Sequence, residues 1–229
     1  KVYFNNTSTL KPISKNLIDE IYKKKNFVSK PFFSLNKKIT GESHVSKIKK
    51  IIKKMEIYKA DYIFISAPEN VAWLLNIRGY DNPNSPIPNC RMIISRKNRI
   101  FLFVNKKKVS KIIKEKKLNN CKIIKPDNFE ITINNLKGKK FIIDPLTCSI
   151  KNENIIKSKF KIILKNDPCY KLKSIKSTEE IKNMINAHIE DGAALTKFIF
   201  WIKYKNKKKI TEIDAEKKLE KFRKMNKNY

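Results

Sequence analysis

Histidine is the residue type most often used to hold a metal ion or to transfer a proton, and this sequence contains two. His44 precedes a lysine-rich helical pattern, and His188 lies on the apolar stripe of a long predicted helix. In such places a lone histidine is typical of a helix start or of a hydrogen-bonded core, rather than of a metal ligand. The sequence also contains no HExxH pair, glycine-rich phosphate loop or G-x-S-x-G elbow.

Cysteines are the next candidates, as soft metal ligands or nucleophiles. They stand at Cys90, Cys121, Cys148 and Cys169. None forms a C-x-x-C pair and none has a histidine near it, so their spacing fits neither a zinc site nor a redox motif. We therefore expect free thiols in a reducing compartment.

Acidic residues complete the inventory of groups that could act in catalysis. Asp144 and Asp167 each follow a predicted strand and precede a proline, which is typical of a turn. Glu190 and Asp191 are adjacent within a predicted helix, so they face different directions and cannot form a paired acid and base. The residues alone therefore predict no assembled catalytic site and no metal site.

The formal net charge of +32 raises the possibility of binding nucleic acid or an anionic membrane. However, only five of the 53 basic residues are arginine, which is the preferred group for bidentate contact with bases and phosphates. The lysines are spread along the whole chain together with isoleucine and asparagine, as AT-rich codons would produce. A solvated basic surface is the favoured interpretation, and a nucleic-acid-binding protein is an alternative.

Apolar runs in the sequence are only a few residues long. A membrane span requires about 20 consecutive apolar residues. No signal peptide is apparent either. These features predict a cytoplasmic protein without a membrane partner.

The elements that would position these groups differ along the chain. Residues 2–4 are typical of a strand and residues 15–25 of a short helix, while residues 30–40 are irregular and predicted to be a linker. An amphipathic helix follows, with an apolar stripe toward the core and its lysines toward water. That stripe consists of Ile48, Ile51, Ile52 and Met55.

Short apolar strands then alternate with helical patterns between residues 61 and 164. The predicted strands are residues 62–66, 92–95, 100–104, 122–124, 141–143 and 161–164. The predicted helices are residues 70–75, 109–117, 129–136 and 150–157. This alternation predicts an α/β fold with a mixed β-sheet flanked by helices, and the short connection at residues 96–100 predicts a hairpin.

The last part of the sequence is predicted to be helical. Residues 166–176 are expected to be extended and to contain a domain boundary. Ser177 and Glu180 have the spacing of a capping box, which predicts a helix running to about Tyr204. Thr211 is placed to cap a further helix, and the residues on one face of that helix are Ala215, Leu219 and Phe222.

Several stretches, in this order, resemble the aminopeptidase P (Xaa-Pro aminopeptidase) family. "GESHVSKIKKI" and "ADYIFISAPENVAWLLNIRGYDNPNSPIPNCRMIIS" are similar to that family's middle domain, including its Trp-Leu-x-Asn-[Ile/Leu]-Arg-Gly motif. "KSTEEIKNMINAHIEDGAALTKFIFWI" resembles the first helix of its catalytic domain, and "ITEIDAEKKLEKFR" resembles the next helix.

The resemblance implies a creatinase N-terminal-like α/β fold with a ribonuclease H-like motif. A long helix and a second helix of a truncated pita-bread domain would follow it. The implied domains are the tail of a first creatinase-like domain (1–33), a middle creatinase-like α/β domain (34–170) and the first helices of the catalytic domain (171–229). We therefore expect an internal fragment of a longer protein.

The same resemblance implies a hydrolase that acts on peptides with proline in second position. Family members bind two divalent metal ions, usually manganese, through two Asp, one His and two Glu. Those ligands would lie beyond residue 229, so we expect this fragment to bind no metal and to be inactive alone. A homodimer is also expected, and specific nucleic-acid binding is not.

One segment matches the family most closely and is expected to form an interdomain or active-site-rim loop. It contains Asn76, Arg78, Gly79 and Asp81. The planar guanidinium of Arg78 could brace the loop through Asp81 or backbone carbonyls, or it could contact substrate. Alternative identities are a non-catalytic creatinase-like or pita-bread-like binding module and a sister peptidase such as prolidase or creatinase.

Overall fold

The computed structural model of the protein describes residues 13, 17–22, 30–82, 84–118, 120–205 and 209–226. Within these ranges the predicted mixed α/β architecture is confirmed. The helices are α1 (Leu17–Ile21), α2 (Lys37–Thr40), α3 (His44–Ile57), α4 (Pro68–Leu75), α5 (Lys106–Lys114), α6 (Phe129–Asn135), α7 (Ile150–Lys157), α8 (Pro168–Ser174), α9 (Thr178–Phe200) and α10 (Glu212–Arg223). The strands are β1 (Phe33–Ser34), β2 (Tyr62–Ile65), β3 (Ile77–Arg78), β4 (Arg91–Ser95), β5 (Ile100–Phe103), β6 (Cys121–Ile124), β7 (Lys140–Ile143) and β8 (Lys161–Leu164).

Six of these strands form one mixed sheet in the order β6-β5-β4-β2-β7-β8. Strand β4 is antiparallel to β2 and β5, and the other neighbours are parallel. Ile63 of β2 lies opposite Ile94 on one side and Ile142 on the other, so β2 is held from both sides at the centre of the sheet. The predicted hairpin between β4 and β5 is confirmed.

Two apolar layers cover the sheet, because alternate side chains of a strand point to opposite faces. On β2, Ile63 and Ile65 join the layer formed with α3, α4 and α5, while Tyr62 and Phe64 join the layer formed with α6 and α7. The second layer is rich in aromatic rings. The ring centroids of Phe64 and Phe129 are 5.1 Å apart, a separation typical of packed aromatic pairs.

Residues 30–40 are more regular than the sequence predicted. Strand β1 pairs antiparallel with β3, and Phe32 before it is completely buried. Asn36 then caps α2, because its side-chain oxygen accepts a hydrogen bond from the backbone amide of Ile39 at 3.2 Å. The linker prediction was therefore wrong here: two-residue strands and one-turn helices are too short to leave a periodic pattern.

The prediction of an extended segment at residues 166–176 was also wrong. Residues 168–174 form helix α8, which has Pro168 in its first turn. The Asp167 carboxylate caps this helix by accepting a hydrogen bond from the Cys169 amide at 2.8 Å. Proline is favoured in the first turn of a helix, where its missing amide proton leaves no hydrogen bond unmade.

Helices α9 and α10 begin as predicted, each with a capping box. Asp191 of α9 accepts hydrogen bonds from the Arg223 guanidinium of α10 at 2.6 and 3.2 Å. His188, in contrast, is exposed and does not lie in a core within the described part of the chain. Much of the apolar stripe of α9 is also exposed, including Ile185 and Ile189.

Some predictions fall outside what the structure describes or tests. The strand at residues 2–4 and both ends of the helix at residues 15–25 lie outside the described residues, although α1 confirms the middle of that helix. The three domains stay a prediction. Within the described ranges, no helix is both long enough and apolar enough to cross a bilayer.

We expect the core between the sheet and α4 to carry much of the stability. Leu74 is completely buried in this layer, whereas Leu146 is 80% exposed. Leu74→Ala should lower the free energy of unfolding in urea by about 2–5 kcal/mol, because it leaves a cavity. Leu146→Ala, the matched control, should change it by less than about 0.5 kcal/mol; equal effects would contradict the described packing.

Candidate functional site

The candidate site is built at the end of helix α4. This helix ends at Asn76, whose left-handed backbone (φ 54°) turns the chain into β3. Asparagine tolerates this conformation better than most residues, which is why it commonly ends helices. Strand β3 pairs with β1, so that Arg78 lies opposite Phe33. The start of the predicted loop therefore belongs to a two-stranded sheet, β1-β3, that is separate from the main six-stranded sheet.

The Asn76 side chain is buried and connects α4 to the segment before α3. Its amide oxygen accepts a hydrogen bond from the Lys47 ammonium at 2.7 Å, and its amide nitrogen donates one to the Glu42 carbonyl at 2.8 Å. Lys47 also donates to the Trp73 carbonyl at 3.0 Å, and its Nζ lies 4.2 Å from the centre of the Trp73 ring. Asn76 therefore has a structural role that its position at a helix end alone does not reveal.

Lys47 is a residue that the sequence prediction missed. The lysines of α3 were expected to face water, but Lys47 is only 2% exposed. It lies four residues before Ile51 and eight before Met55, and this spacing on the apolar stripe was the available signal. Burial lowers the pKa of Lys47 to about 8, although the charges of Glu180 and Glu42 oppose this shift.

Arg78 is half-buried, and its guanidinium donates to two backbone carbonyls. The acceptors are Ile77 at 2.8 Å and Ala72 at 3.2 Å, so the backbone alternative fits the structure and Asp81 is not its partner. Burial lowers the pKa of Arg78, and the negative charge of Glu180 in α9 acts in the opposite direction. Arg78 thus fixes the end of α4 and lies within the electrostatic reach of α9.

Gly79 and Asp81 attach the second half of the loop to a different part of the fold. A Cβ atom on Gly79 would lie 2.8 Å from the Phe32 ring and 2.9 Å from the Pro88 backbone, so there is no room for a side chain. The Asp81 carboxylate accepts a hydrogen bond from the Asn89 amide at 2.6 Å and forms an ion pair with Lys108 of α5. The four predicted residues therefore belong to two neighbouring networks.

Helix α9 contacts the segment before α3 directly. Gly41 has a positive φ of 66°, and a Cβ atom there would lie 2.0 Å from the Ser177 hydroxyl oxygen. Asn183 of α9 also donates to the carbonyls of Lys38 and Ile39 at 3.3 and 3.4 Å. The segment before α3 therefore packs closely against the start of α9, and Glu180 in the first turn of α9 acts electrostatically on both Lys47 and Arg78.

The described residues do not supply a catalytic or metal-binding cluster. Among residues 13, 17–22, 30–82, 84–118, 120–205 and 209–226, no group of three or more His, Cys, Asp or Glu could hold a metal ion. His44 begins α3 as predicted, and burial lowers its pKa. All four cysteines are free, as predicted, and burial raises the thiol pKa of each of them.

The two aspartates that precede prolines have the structural roles expected from the sequence. Asp144 is buried and organises a turn, with its carboxylate accepting from the Leu146 amide at 2.9 Å and from the Asp167 amide at 2.9 Å. Asp167 caps α8 and accepts from the Asn70 side chain at 2.7 Å. Burial raises the pKa of Asp167, and hydrogen bonds occupy both of its carboxylate oxygens.

Comparison with known proteins decides the family. The family profile described as "Creatinase/Prolidase N-terminal domain" matches residues 23–180. The chain belongs to the creatinase/prolidase N-terminal domain family. The matched range includes the main sheet and the candidate loop. The match confirms the creatinase-like resemblance that the sequence motifs indicated.

Curated relatives extend the similarity over most of the chain. Xaa-Pro aminopeptidase 1 of Dictyostelium discoideum is 33% identical over 83% of this chain and 31% of the relative. Xaa-Pro aminopeptidase ApepP of Drosophila melanogaster is 31% identical over 93% of this chain and 36% of the relative. The chain therefore spans about a third of the length of these curated relatives.

Solved structures show the same fold. An X-prolyl aminopeptidase from Caenorhabditis elegans, described as a cytosolic enzyme with a di-nuclear active site, matches with a TM-score of 0.84 and 24% identity. The match covers 95% of this chain and 37% of the worm protein. A Xaa-Pro dipeptidase from Bacillus anthracis matches less closely, with a TM-score of 0.61 and 18% identity. The predicted fold class is therefore confirmed.

The geometry of Arg78 predicts that lysine cannot replace it. Arg78→Lys keeps the charge but loses the Nη1 atom that donates to both carbonyls, because a lysine side chain ends one bond short of that position, and we expect the free energy of unfolding to fall by about 1–2 kcal/mol. Urea unfolding followed by circular dichroism measures this change. Arg91→Lys is the control because Arg91 is exposed. An equal, small effect of both substitutions would contradict a bracing role for Arg78.

The buried position of Lys47 predicts a pH dependence of stability. Its pKa is about 8 in the folded protein, against the usual 10.5. Between these values the unfolded chain holds a proton that the folded chain has lost, so the contribution of Lys47 to stability rises with pH. In urea unfolding, the wild-type protein should therefore gain stability relative to Lys47→Met across this interval.

A matched lysine on the same helix controls for the general loss of positive charge. Lys49 is exposed on α3, and Lys49→Met should retain the pH-dependent gain that Lys47→Met lacks. If both variants show the same pH profile, the Lys47 ammonium is not desolvated in the folded protein.

Proposed function

We propose that this chain is part of a Xaa-Pro aminopeptidase, a metal-dependent hydrolase that removes the N-terminal residue preceding a proline. The observation that carries this proposal is the similarity to the Xaa-Pro aminopeptidase of Dictyostelium discoideum over 198 residues. The relatives from Sordaria macrospora and Drosophila melanogaster have related names and are also matched over most of this chain. The substrates would be peptides with proline in second position.

The metal chemistry of the proposed enzyme belongs to a part of the protein beyond the described residues. The family resemblance implies two divalent metal ions, with manganese the usual choice, held by two Asp, one His and two Glu. The described residues do not contain such a ligand set, so we assign no catalytic step to them. The di-nuclear site in the description of the worm enzyme supports the proposal of two ions in the whole protein.

We propose that this part of the protein braces the catalytic domain and limits access to short peptides. The proposed layout is the tail of a first creatinase-like domain (1–33), a middle domain (34–170) and the start of the catalytic domain (171–229). Support comes from the contact of α9 with the segment before α3, where Asn183 bonds the carbonyls of Lys38 and Ile39. Arg78 would act as a brace at this junction, and direct contact with substrate is the alternative.

The exposed face of α9 supports the presence of a further packing partner in the whole protein. Ile181, Ile185 and Ile189 are 49%, 55% and 66% exposed along one stripe of this helix. Covering these side chains would remove considerable apolar surface from water. We propose that the rest of the catalytic domain covers them, and that the whole protein is cytoplasmic and forms a homodimer.

Three other functions are less well supported. A non-catalytic member of the family would share the fold but lack the metal ligands, and a prolidase would share the fold with different substrate preferences. The net charge of +32 also keeps a nucleic-acid-binding function as an alternative. Binding that survives physiological salt and prefers one sequence would support this last alternative, since any strongly basic protein binds nucleic acid without sequence preference at low salt.

The proposal predicts where the activity resides. The 229-residue chain with added manganese should not cleave Xaa-Pro peptides, whereas the product of the complete reading frame should. Replacing the proposed Asp and Glu metal ligands in the complete protein with Asn and Gln should abolish cleavage and bound metal together. Robust cleavage by the 229-residue chain would contradict the fragment proposal, and an inactive complete protein that lacks these ligands would favour the non-catalytic alternative.

A further inference from the structure

A cavity of about 1000 Å³ opens along the edge of the main sheet, where the β4–β5 hairpin, β6 and α6 meet. None of its lining residues belongs to the candidate site described above. Its volume is within the range of small-molecule sites, which are typically concave. The cavity is therefore separate from the candidate site.

Positive charge dominates the described residues that line the cavity. The cations are Arg96, Lys97, Arg99, Lys106, Lys122, Lys125 and Lys137, and the only acidic lining residue is Asp61. The Asp61 carboxylate already accepts hydrogen bonds from the amides of Lys139 and Lys140 at 2.7 and 3.1 Å and pairs with Arg96 at 3.3 Å. The other six cations form no ion pair with an acidic residue in the described part of the chain.

Two of the five arginines of the chain lie in this cavity, although the chain uses lysine for almost all its positive charge. Both belong to the β4–β5 hairpin. Asn98 has a positive φ of 58°, and the Ser95 hydroxyl accepts a hydrogen bond from the Arg99 amide at 3.0 Å. A tight, hydrogen-bonded turn thus holds Arg96 and Arg99 beside the cavity. The planar guanidinium of arginine is suited to bidentate contact with phosphate.

The cavity also has a floor that is not charged. Phe101 and Ile124 are half-buried side chains of the sheet, and Thr132 and Asn135 of α6 add neutral hydrogen-bonding groups. Such a floor fits the body of a compact ligand. An aromatic side chain on a basic surface can also stack with the bases of a single-stranded nucleic acid, so RNA is included as a competitor in the test below. The combination of clustered cations, two arginines on a hydrogen-bonded turn and a partly apolar floor favours a compact polyanion as the ligand.

We propose that this cavity binds a small molecule that carries several phosphate groups, such as a nucleoside polyphosphate or an inositol polyphosphate. Phosphate oxygens would pair with the hairpin arginines and with the lysines of β6 and the β6–α6 connection. The body of the ligand would lie against Phe101 and Ile124. Bringing like charges together is unfavourable in the free protein, and a polyanion would relieve that repulsion.

Isothermal titration calorimetry of the 229-residue chain with tripolyphosphate, ATP and inositol hexakisphosphate tests this proposal. At about 0.15 M salt, where long-range attraction is largely screened, we expect one-to-one binding of at least one of these probes. Tighter binding of ATP than of tripolyphosphate identifies a nucleotide-type ligand. Tightest binding of inositol hexakisphosphate identifies an inositol polyphosphate.

Two triple variants with the same change in charge separate the cavity from general basicity. Lys97→Gln, Lys122→Gln and Lys125→Gln together remove three cavity cations and should weaken binding about tenfold or more. The control combines Lys49→Gln, Lys53→Gln and Lys151→Gln, which remove three exposed lysines elsewhere. It should weaken binding by less than about threefold.

A charge-preserving substitution tests the geometry of the hairpin. Arg99→Lys should weaken binding about fivefold through loss of the planar guanidinium, while Arg91→Lys, outside the cavity, should not. Equal losses in the two triple variants, or several weak sites in place of one, would falsify the proposal. Displacement of the bound phosphate probe by single-stranded RNA at an equal phosphate concentration would also overturn it, in favour of a nucleic-acid interface.

Discussion

The buried ammonium group of Lys47 is the interaction on which the candidate site depends. Transfer of a charged amine from water into a protein interior is costly unless fixed acceptors surround it. Here the acceptors are the Asn76 amide oxygen, the Trp73 carbonyl and the face of the Trp73 ring. Trp73 lies in the last turn of α4 and Asn76 caps its end, so the burial of Lys47 couples the position of α3 to the end of α4.

This constraint determines where the rest of the loop lies. Asn76 presents its side-chain oxygen to Lys47 while its left-handed backbone directs the chain into β3 and its pairing with β1. Arg78 then reaches back to the Ala72 carbonyl of the same helix end. Glu180 acts electrostatically on both Lys47 and Arg78, so the first turn of α9 contributes to the same network. The family motif therefore encodes a junction between elements, which agrees with the absence of a catalytic cluster around it in the described part of the chain.

The sequence predicted elements that leave a periodic or capping signal. All six strands of the main sheet were located, because each is a short apolar run, and the box formed by Ser177 and Glu180 located the start of α9. Helix α8 and strand β1 were missed, since one is short and starts with a proline and the other has only two residues. Lys47 was missed because its burial depends on acceptors supplied by α4, about 26 residues later in the chain. The cavity beside the β4–β5 hairpin was also invisible, because its lysines come from separate elements that only the fold brings together.

The distribution of arginine and lysine follows from the same physical reasoning. Arg78 binds two carbonyls, Arg96 binds Asp61, and Arg223 binds both oxygens of Asp191. Of these three, the Arg223–Asp191 pair engages two guanidinium nitrogens with two carboxylate oxygens, a geometry that a planar group with several donors matches better than a flexible ammonium. The site around Lys47 suits a lysine instead. The Asn76 amide oxygen, the Trp73 carbonyl and the Trp73 ring surround a single point, which a compact ammonium can occupy. Elsewhere the lysines are mostly exposed, which suits a strongly hydrated group. In a chain with a net charge of +32, the choice between the two basic residues is therefore more informative about function than the charge itself.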